Sequence, residues 1–277
     1  MTAGPVIVQA RLRAGRPLSA DTFRLDLEVP AAERFRAPGC FVKLRGWPGP
    51  GEGGPLLDRP FSIHRVRADG LELLIRRVGP ATRLLGELAP GAPLKVTGPL
   101  GRPWPVALAE AASIETAPNP TGFYLAAGGI GLAPMALVRD WLAESGRSGA
   151  LFYGERSGRN QVDAAWLATW AGDFTATVED GSGYGRRGRV TEALAEALVR
   201  EPRPIFACGP VPMLAAVSDL AGRFGVVPWV SMEAGLACGL GVCLSCGLPL
   251  AGGGRFKVCR EGPVVDGRTV AWAEALS

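Results

Sequence analysis

The chain has 277 residues, 47% of them hydrophobic and 20% charged, with a formal net charge of +4. That is enough for two domains with proper cores, and the composition excludes a disordered or low-complexity protein. Basic residues are scattered rather than gathered into a stripe, no apolar run reaches membrane-spanning length, and Arg11 and Arg13 stand where a signal peptide would have its apolar block, so nucleic-acid binding, a membrane span and secretion are set aside and a cytoplasmic location is expected.

Residues 1–104 read as β. Apolar and polar residues alternate over 6–12, 22–29 and 41–45, and further strands are predicted at 61–66, 71–78 and 93–98, with Gly/Pro clusters between them. Six short strands at this spacing predict an antiparallel β-barrel, with one short helix near 81–88 after the Gly79-Pro80 turn. Residues 105–121 are rich in Ala, Glu and Pro and weakly patterned, as a connector would be.

From Gly122 the pattern becomes strand–turn–helix. Strands are predicted at 123–127, 150–154, 174–178 and 204–208, and helices at 133–145, 190–199 and 211–224. Such alternation predicts a doubly wound parallel sheet, an α/β domain over 122–226. The last segment, 227–277, is loop-rich and carries most of the cysteines; a closing hairpin is expected between 256–259 and 263–266. The fold class is thus α+β and multidomain: barrel, parallel-sheet domain, small C-terminal segment.

The strongest motif lies in that last segment. Cys238, Cys243 and Cys246 are spaced C-x4-C-x2-C, and Cys259 follows after twelve residues. This is the plant-type spacing of a [2Fe–2S] cluster, and four thiolates suit two irons. Structural zinc is the competing reading, but zinc sites usually pair their cysteines as two C-x2-C knuckles. The remaining Cys40 and Cys208 read as small buried residues rather than a disulfide, because thiols stay reduced in the cytosol.

Three weaker motifs accompany it. Gly128-Gly129-x-Gly131-x-x-Pro134 follows a predicted strand and opens a helix, which suits a pyrophosphate held by backbone N–H groups; alone, it could be a plain tight turn. Cys208-Gly209-Pro210 closes a later strand on the same edge of the sheet, where doubly wound folds bind ligands. Arg59-Pro60-Phe61-Ser62 offers a guanidinium for a phosphate, a ring for stacking and a hydroxyl, or else a proline-started strand with an exposed arginine. Gly79 to Thr82 is a further candidate anion-binding turn. His64 is the single histidine and sits on a strand, where a hydrogen-bonded structural role outweighs acid–base catalysis, while Trp166, Trp170 and Trp229 read as packing.

Together, R-P-x-S in a barrel, then G-x-G-x-x-P and C-G-P in a sheet domain, resemble the ferredoxin–NADP reductase superfamily. The run from Met232 to Cys246, with Val258-Cys259-Arg-Glu-Gly-Pro-Val-Val, resembles more narrowly the iron–sulfur electron-transfer subunit of NAD-dependent, two-subunit dihydroorotate dehydrogenase. The resemblance covers essentially the whole chain and implies three cofactors: FAD, a [2Fe–2S] cluster and NAD. It implies that Arg59, Pro60, Phe61 and Ser62 bind FAD, that Leu74, Ile75 and Arg76 line its adenine side or phosphates, and that Ala81 and Thr82 stand at its pyrophosphate, alanine replacing the family's glycine. Gly128, Gly129, Gly131, Pro134, Cys208, Gly209 and Pro210 would receive the nicotinamide nucleotide, and Cys238, Cys243, Cys246 and Cys259 would ligate the cluster. Glu155 stands about where an acidic residue would accept from the NAD ribose, with Arg156 able to favour NADP instead. The implied partner is an FMN-containing dihydroorotate dehydrogenase catalytic subunit in a two-plus-two heterotetramer serving pyrimidine biosynthesis, with electrons leaving through this chain to NAD⁺. A related sulfide dehydrogenase or ferredoxin:NADP⁺ oxidoreductase subunit is the alternative enzyme, and a zinc-stabilised nucleotide-binding regulator the alternative outside enzymology.

Overall fold

The computed structural model describes residues 4–48, 54–104, 122–172 and 174–276. Strands β1 (Val6–Pro17), β2 (Thr22–Glu28), β3 (Phe41–Arg45), β4 (Arg59–Arg67), β5 (Gly70–Arg76) and β6 (Pro93–Leu100) close into a barrel in the order β1-β2-β5-β4-β3-β6. Every neighbouring pair is antiparallel. The two-residue period explains the filling: Leu25, Val42, Leu44, Ile63, Leu73, Ile75 and Val96 turn into a dry core, and their neighbours along each strand turn out. The helix Pro80–Glu87 starts on a proline, whose missing N–H costs nothing there, and inserts the buried Leu85 into the barrel core. The expected connector at 105–121 lies outside the described residues.

A seven-stranded sheet follows, built from β7 (Gly122–Gly128), β8 (Ser148–Glu155), β9 (Phe174–Val178), β10 (Arg186–Arg187), β11 (Ile205–Cys208), β12 (Pro228–Ser231) and, at its edge, β15 (Val264–Asp266). The order is β10-β9-β8-β7-β11-β12-β15, parallel throughout except for β12–β15. Strand β7 is the point at which the order reverses, with β8 on one side and β11 on the other. Doubly wound sheets open their ligand crevice at such a point, beyond the carboxyl ends of the strands.

Two local expectations need correction. Residues 256–259 do not pair with 263–266. Instead β14 (Arg255–Lys257) pairs with β13 (Gly247–Pro249), while β15 returns to the main sheet beside β12. Apolar residues of β15 are satisfied by burial against a distant strand, which local sequence cannot announce. The helix Ala164–Ala171 was not foreseen: it is apolar on all sides, so it lacks a helical stripe, and its start is marked only by Asp163, whose side chain accepts from the Trp166 N–H at 2.7 Å.

Barrel and sheet meet through buried contacts. The His64 ring is fully buried, with Nδ1 2.8 Å from the Ala133 carbonyl and the ring edge-on to Trp170. Burial drives its pKa down to about 3, so the imidazole is neutral and structural, as its position on β4 suggested. Arg65 on β4 donates to Asp140 of the helix Met135–Glu144 at 3.1 and 3.2 Å. Trp104, just after the barrel, stacks on Phe206 of β11 at 4.7 Å.

Candidate functional site

The chain leaves β12 at Ser231 and enters the loop that carries the cysteines. Two sharp turns at Gly239 and Gly241, with φ of +75° and +80°, fold the backbone around the sulfurs. The Cys238 Sγ accepts N–H groups from Leu240 at 3.3 Å and Cys243 at 3.5 Å, and the Cys259 Sγ accepts from Gly241 at 3.1 Å. The β13–β14 hairpin brings the fourth cysteine back: Cys246 and Cys259 stand with their sulfurs 3.3 Å apart, and Val258 N–H donates to the Cys246 carbonyl. Cys238 and Cys243 form the other pair, in side-chain contact. Cys246 and Cys259 are buried, Cys243 is exposed and Cys238 lies between. Among the described residues no three ligand-type side chains gather about one point.

Two thiol pairs and N–H groups aimed at sulfur fit a two-iron cluster better than one tetrahedral zinc. Electrostatics agrees at the outer pair. Backbone N–H groups of Cys243 and Leu240 draw the Cys238 thiol down to about 6, and the Ser245 hydroxyl lowers that of Cys243. At the inner pair, burial and then the neighbouring Cys246 push Cys259 up to about 12, a penalty that cationic iron would remove.

On the barrel, β4 presents Arg59, Pro60, Phe61 and Ser62, all half-buried, opposite Leu44, Lys43, Val42 and Phe41 of β3 respectively. Arg59 donates to the Leu57 carbonyl at 2.7 Å. On β5, Leu74 and Ile75 bury their side chains in the two cores, so only their backbone is on offer to a ligand. Ala81 is likewise buried in the barrel core. The Thr82 hydroxyl folds back onto its own loop, accepting from Val78 N–H at 2.9 Å and Gly79 N–H at 3.1 Å and donating to the Gly79 carbonyl.

The nucleotide motifs meet as the topology requires, Gly128 to Pro134 at the end of β7 and Cys208 to Pro210 at the end of β11. Glycine is obligatory at 131: a β-carbon there would overlap the Cys208 carbonyl and stand 2.7 Å from the Gly209 nitrogen. Pro134 and Pro210 cap the helices Met135–Glu144 and Val211–Arg223, so both helix N-termini open on this edge. The Cys208 thiol is buried, which raises its pKa well above the ordinary value.

Comparison with known proteins decides the family. The profile described as the iron–sulfur cluster binding domain of dihydroorotate dehydrogenase B matches residues 233–271, and that of the oxidoreductase NAD-binding domain matches 125–219. The chain is 31% identical over 274 residues to the dihydroorotate dehydrogenase B (NAD⁺) electron transfer subunit of Desulforamulus reducens, covering 96% of this chain and 98% of that one. To the subunit of the same name from Listeria monocytogenes it is 35% identical over 232 residues, covering 82% and 85%. It belongs to this family. Among solved structures, that of an NADH-dependent reduced ferredoxin–NADP oxidoreductase aligns with a TM-score of 0.79 and 25% identity over 96% of this chain and 91% of that one. Phthalate dioxygenase reductase shares the fold, with a TM-score of 0.59, 15% identity and 91% and 94% coverage.

This NAD-linked electron transfer subunit holds features that its motifs did not announce. Arg76 turns its guanidinium across the domain boundary: it pairs with Glu155 at the end of β8, lies 3.3 Å from Asp21, and covers the Gly129 turn. Glu155 is buried on that arginine rather than open to a ribose, and burial holds its carboxyl above the usual range despite the pairing. Glu233, just past β12, is an exposed residue whose carboxyl the surrounding protein raises above the usual range. No signal in the sequence marks the Arg76–Glu155 contact, because it joins segments far apart in the chain. No described helix is long and apolar enough to cross a membrane.

Proposed function

We propose that this chain carries electrons between NAD and a dihydroorotate dehydrogenase catalytic subunit, with FAD in the barrel and a [2Fe–2S] cluster on the C-terminal loop. The observation that carries this reading is the pairing of four thiols on a loop packed against β3, the strand bonded to Arg59–Ser62. When bound, nicotinamide exchanges electrons in pairs, iron–sulfur singly, and flavin in either way.

The chain's own residues bind and orient these groups. Arg59 supplies positive charge for the FAD phosphates, Phe61 a ring face, Ser62 a hydroxyl, and Pro60 a fixed backbone between them. Leu74 and Ile75 offer backbone N–H and carbonyl groups, and Arg76 a guanidinium. Ala81 and the loop-closing Thr82 shape the turn for the pyrophosphate. Gly128, Gly129, Gly131 and Pro134, with Cys208, Gly209 and Pro210, receive the nicotinamide nucleotide on two helix N-termini. Cys238, Cys243, Cys246 and Cys259 would hold the cluster through their thiolates.

Leu240, Val242 and Leu244 are 51%, 78% and 61% exposed around the outer thiol pair, and this apolar rim suits contact with the FMN-containing catalytic subunit. The assembly is a two-plus-two heterotetramer of the cytoplasm, in which the partner oxidises dihydroorotate and NAD⁺ leaves reduced. The test is reconstitution with that subunit: NADH should reduce orotate only when both chains are present, and serine at Leu240, Val242 and Leu244 should weaken the complex at least tenfold with iron retained. A complex with full FAD, iron and sulfide that still leaves orotate unreduced would refute the proposal. A second reading, a partner of another oxidoreductase class, draws on the likeness to the NADH-dependent ferredoxin–NADP oxidoreductase, and the same assay separates the two.

A further inference from the structure

Lys43 is the one lysine among the buried residues of the described chain, at 8% exposure. Lysine is rarely buried without a counter-charge. Here the Nζ donates to two carbonyl oxygens, Ala237 at 2.7 Å and Cys238 at 3.2 Å, and among the described residues no carboxylate is its hydrogen-bond partner. Both carbonyls belong to the cysteine loop, 194 and 195 residues further along the chain. The aliphatic stem lies beneath Gly239, where a β-carbon would stand 2.8 Å from Lys43 Cδ. Gly239 is thus glycine for two reasons: its φ is +75° and the lysine passes under it.

The position on the barrel matters equally. Val42 and Leu44 point inward with 0% exposure, so Lys43 points outward. Its cross-strand partner is Pro60, and Ser62 follows two residues along on the same face. The side chain therefore spans from the strand proposed to hold flavin to the backbone of the first cluster ligand.

We propose that Lys43 is a positioning residue that locks the cluster loop onto the flavin barrel and raises the cluster's reduction potential. This rests on the electron-transfer reading above. Two ferric ions, two sulfides and four thiolates would carry a net negative charge, and one added electron would make it more negative. A nearby cation stabilises the reduced form more than the oxidised one. A buried cation does so with little screening, unlike Arg260, which is exposed beside Gly241. Lys43 itself exchanges neither electron nor proton.

The experiment compares wild-type holoprotein with Lys43→Gln and Lys43→Arg. Gln keeps a hydrogen-bond donor without the charge; Arg keeps the charge. Iron and acid-labile sulfide are assayed, and the cluster is titrated potentiometrically by its EPR signal. Lys43→Gln should shift the reduction equilibrium at least tenfold towards the oxidised cluster, a fall of about 59 mV for one electron, and Lys43→Arg should restore most of it. An unchanged potential in Lys43→Gln overturns the proposal. So does an Arg variant that behaves as the Gln variant does, in potential or, should Gln lose the cluster, in iron content. Reduction of the wild-type cluster by NADH is a separate measurement: its failure would count against the electron-transfer reading, whereas a wild-type cluster that reduces normally leaves the variants to judge Lys43 alone.

Discussion

Replacing Arg76 by methionine should expose how the two domains are held together. Glu155 keeps only 4% of its side chain exposed, and Arg76 20%. Removing one member of a buried pair strands the other charge, at a cost of about 3–5 kcal/mol. The partial exposure of Arg76 places the expected loss near the lower bound, about 3 kcal/mol. Because Arg76 is also proposed to contact FAD, the single variant alone would mix two effects. A double-mutant cycle with Glu155→Gln cancels the flavin contribution, and the coupling energy should be about 3 kcal/mol against the roughly 0.3–0.5 kcal/mol of independent sites. Equilibrium urea unfolding, followed by tryptophan fluorescence, measures it. The pH dependence has a definite sign. Burial already raises the Glu155 carboxyl above its ordinary 4.5, and losing Arg76 removes the main influence lowering it. A raised carboxyl favours folding below its unfolded value, and that contribution is lost as pH climbs through the folded value. The Arg76→Met defect should therefore be smallest in acid and grow as pH rises from 4.5. Additive single variants, or a defect that shrinks with rising pH, would refute the reasoning.

Other consequences are equally direct. Gly131→Ala should force β7 and β11 apart at the Cys208 carbonyl and raise the NADH dissociation constant about tenfold, the effect of roughly 1.4 kcal/mol, as read by NADH titration with FAD and iron content unchanged. Cys243→Ser should abolish the visible cluster absorbance and leave bound flavin in place. His64, whose pKa burial lowers to about 3, should show no imidazole titration by NMR between about pH 5 and pH 8. Its depressed pKa means that the unfolded chain binds the proton more readily, so stability falls as pH drops below 6.5 towards about 3, and His64→Asn should flatten that acid limb in urea titrations.

The features legible in the sequence are those whose cause is local. The barrel strands could be read from a two-residue period, since one side of each strand must face a dry interior. The cysteine motif could be read because Cys238, Cys243 and Cys246 lie within nine residues, so their spacing is visible in the chain itself. The glycines at 129 and 131 could be read as a turn, although the reason glycine is required at 131 is a carbonyl on another strand. The failed hairpin and the unforeseen helix at Ala164–Ala171 have a common origin: both are short pieces whose local sequence does not name the partner they pack against.

Sequence by itself determined the cofactor chemistry, because donor atoms and their spacing are covalent facts that survive any fold. Tertiary structure alone decided which polar side chains meet which partners: Arg76 with Glu155, Lys43 with the carbonyls of the cysteine loop, His64 among tryptophans. Such contacts join segments tens to nearly two hundred residues apart, and their strength comes from burial, which exists only once the domains have closed on one another.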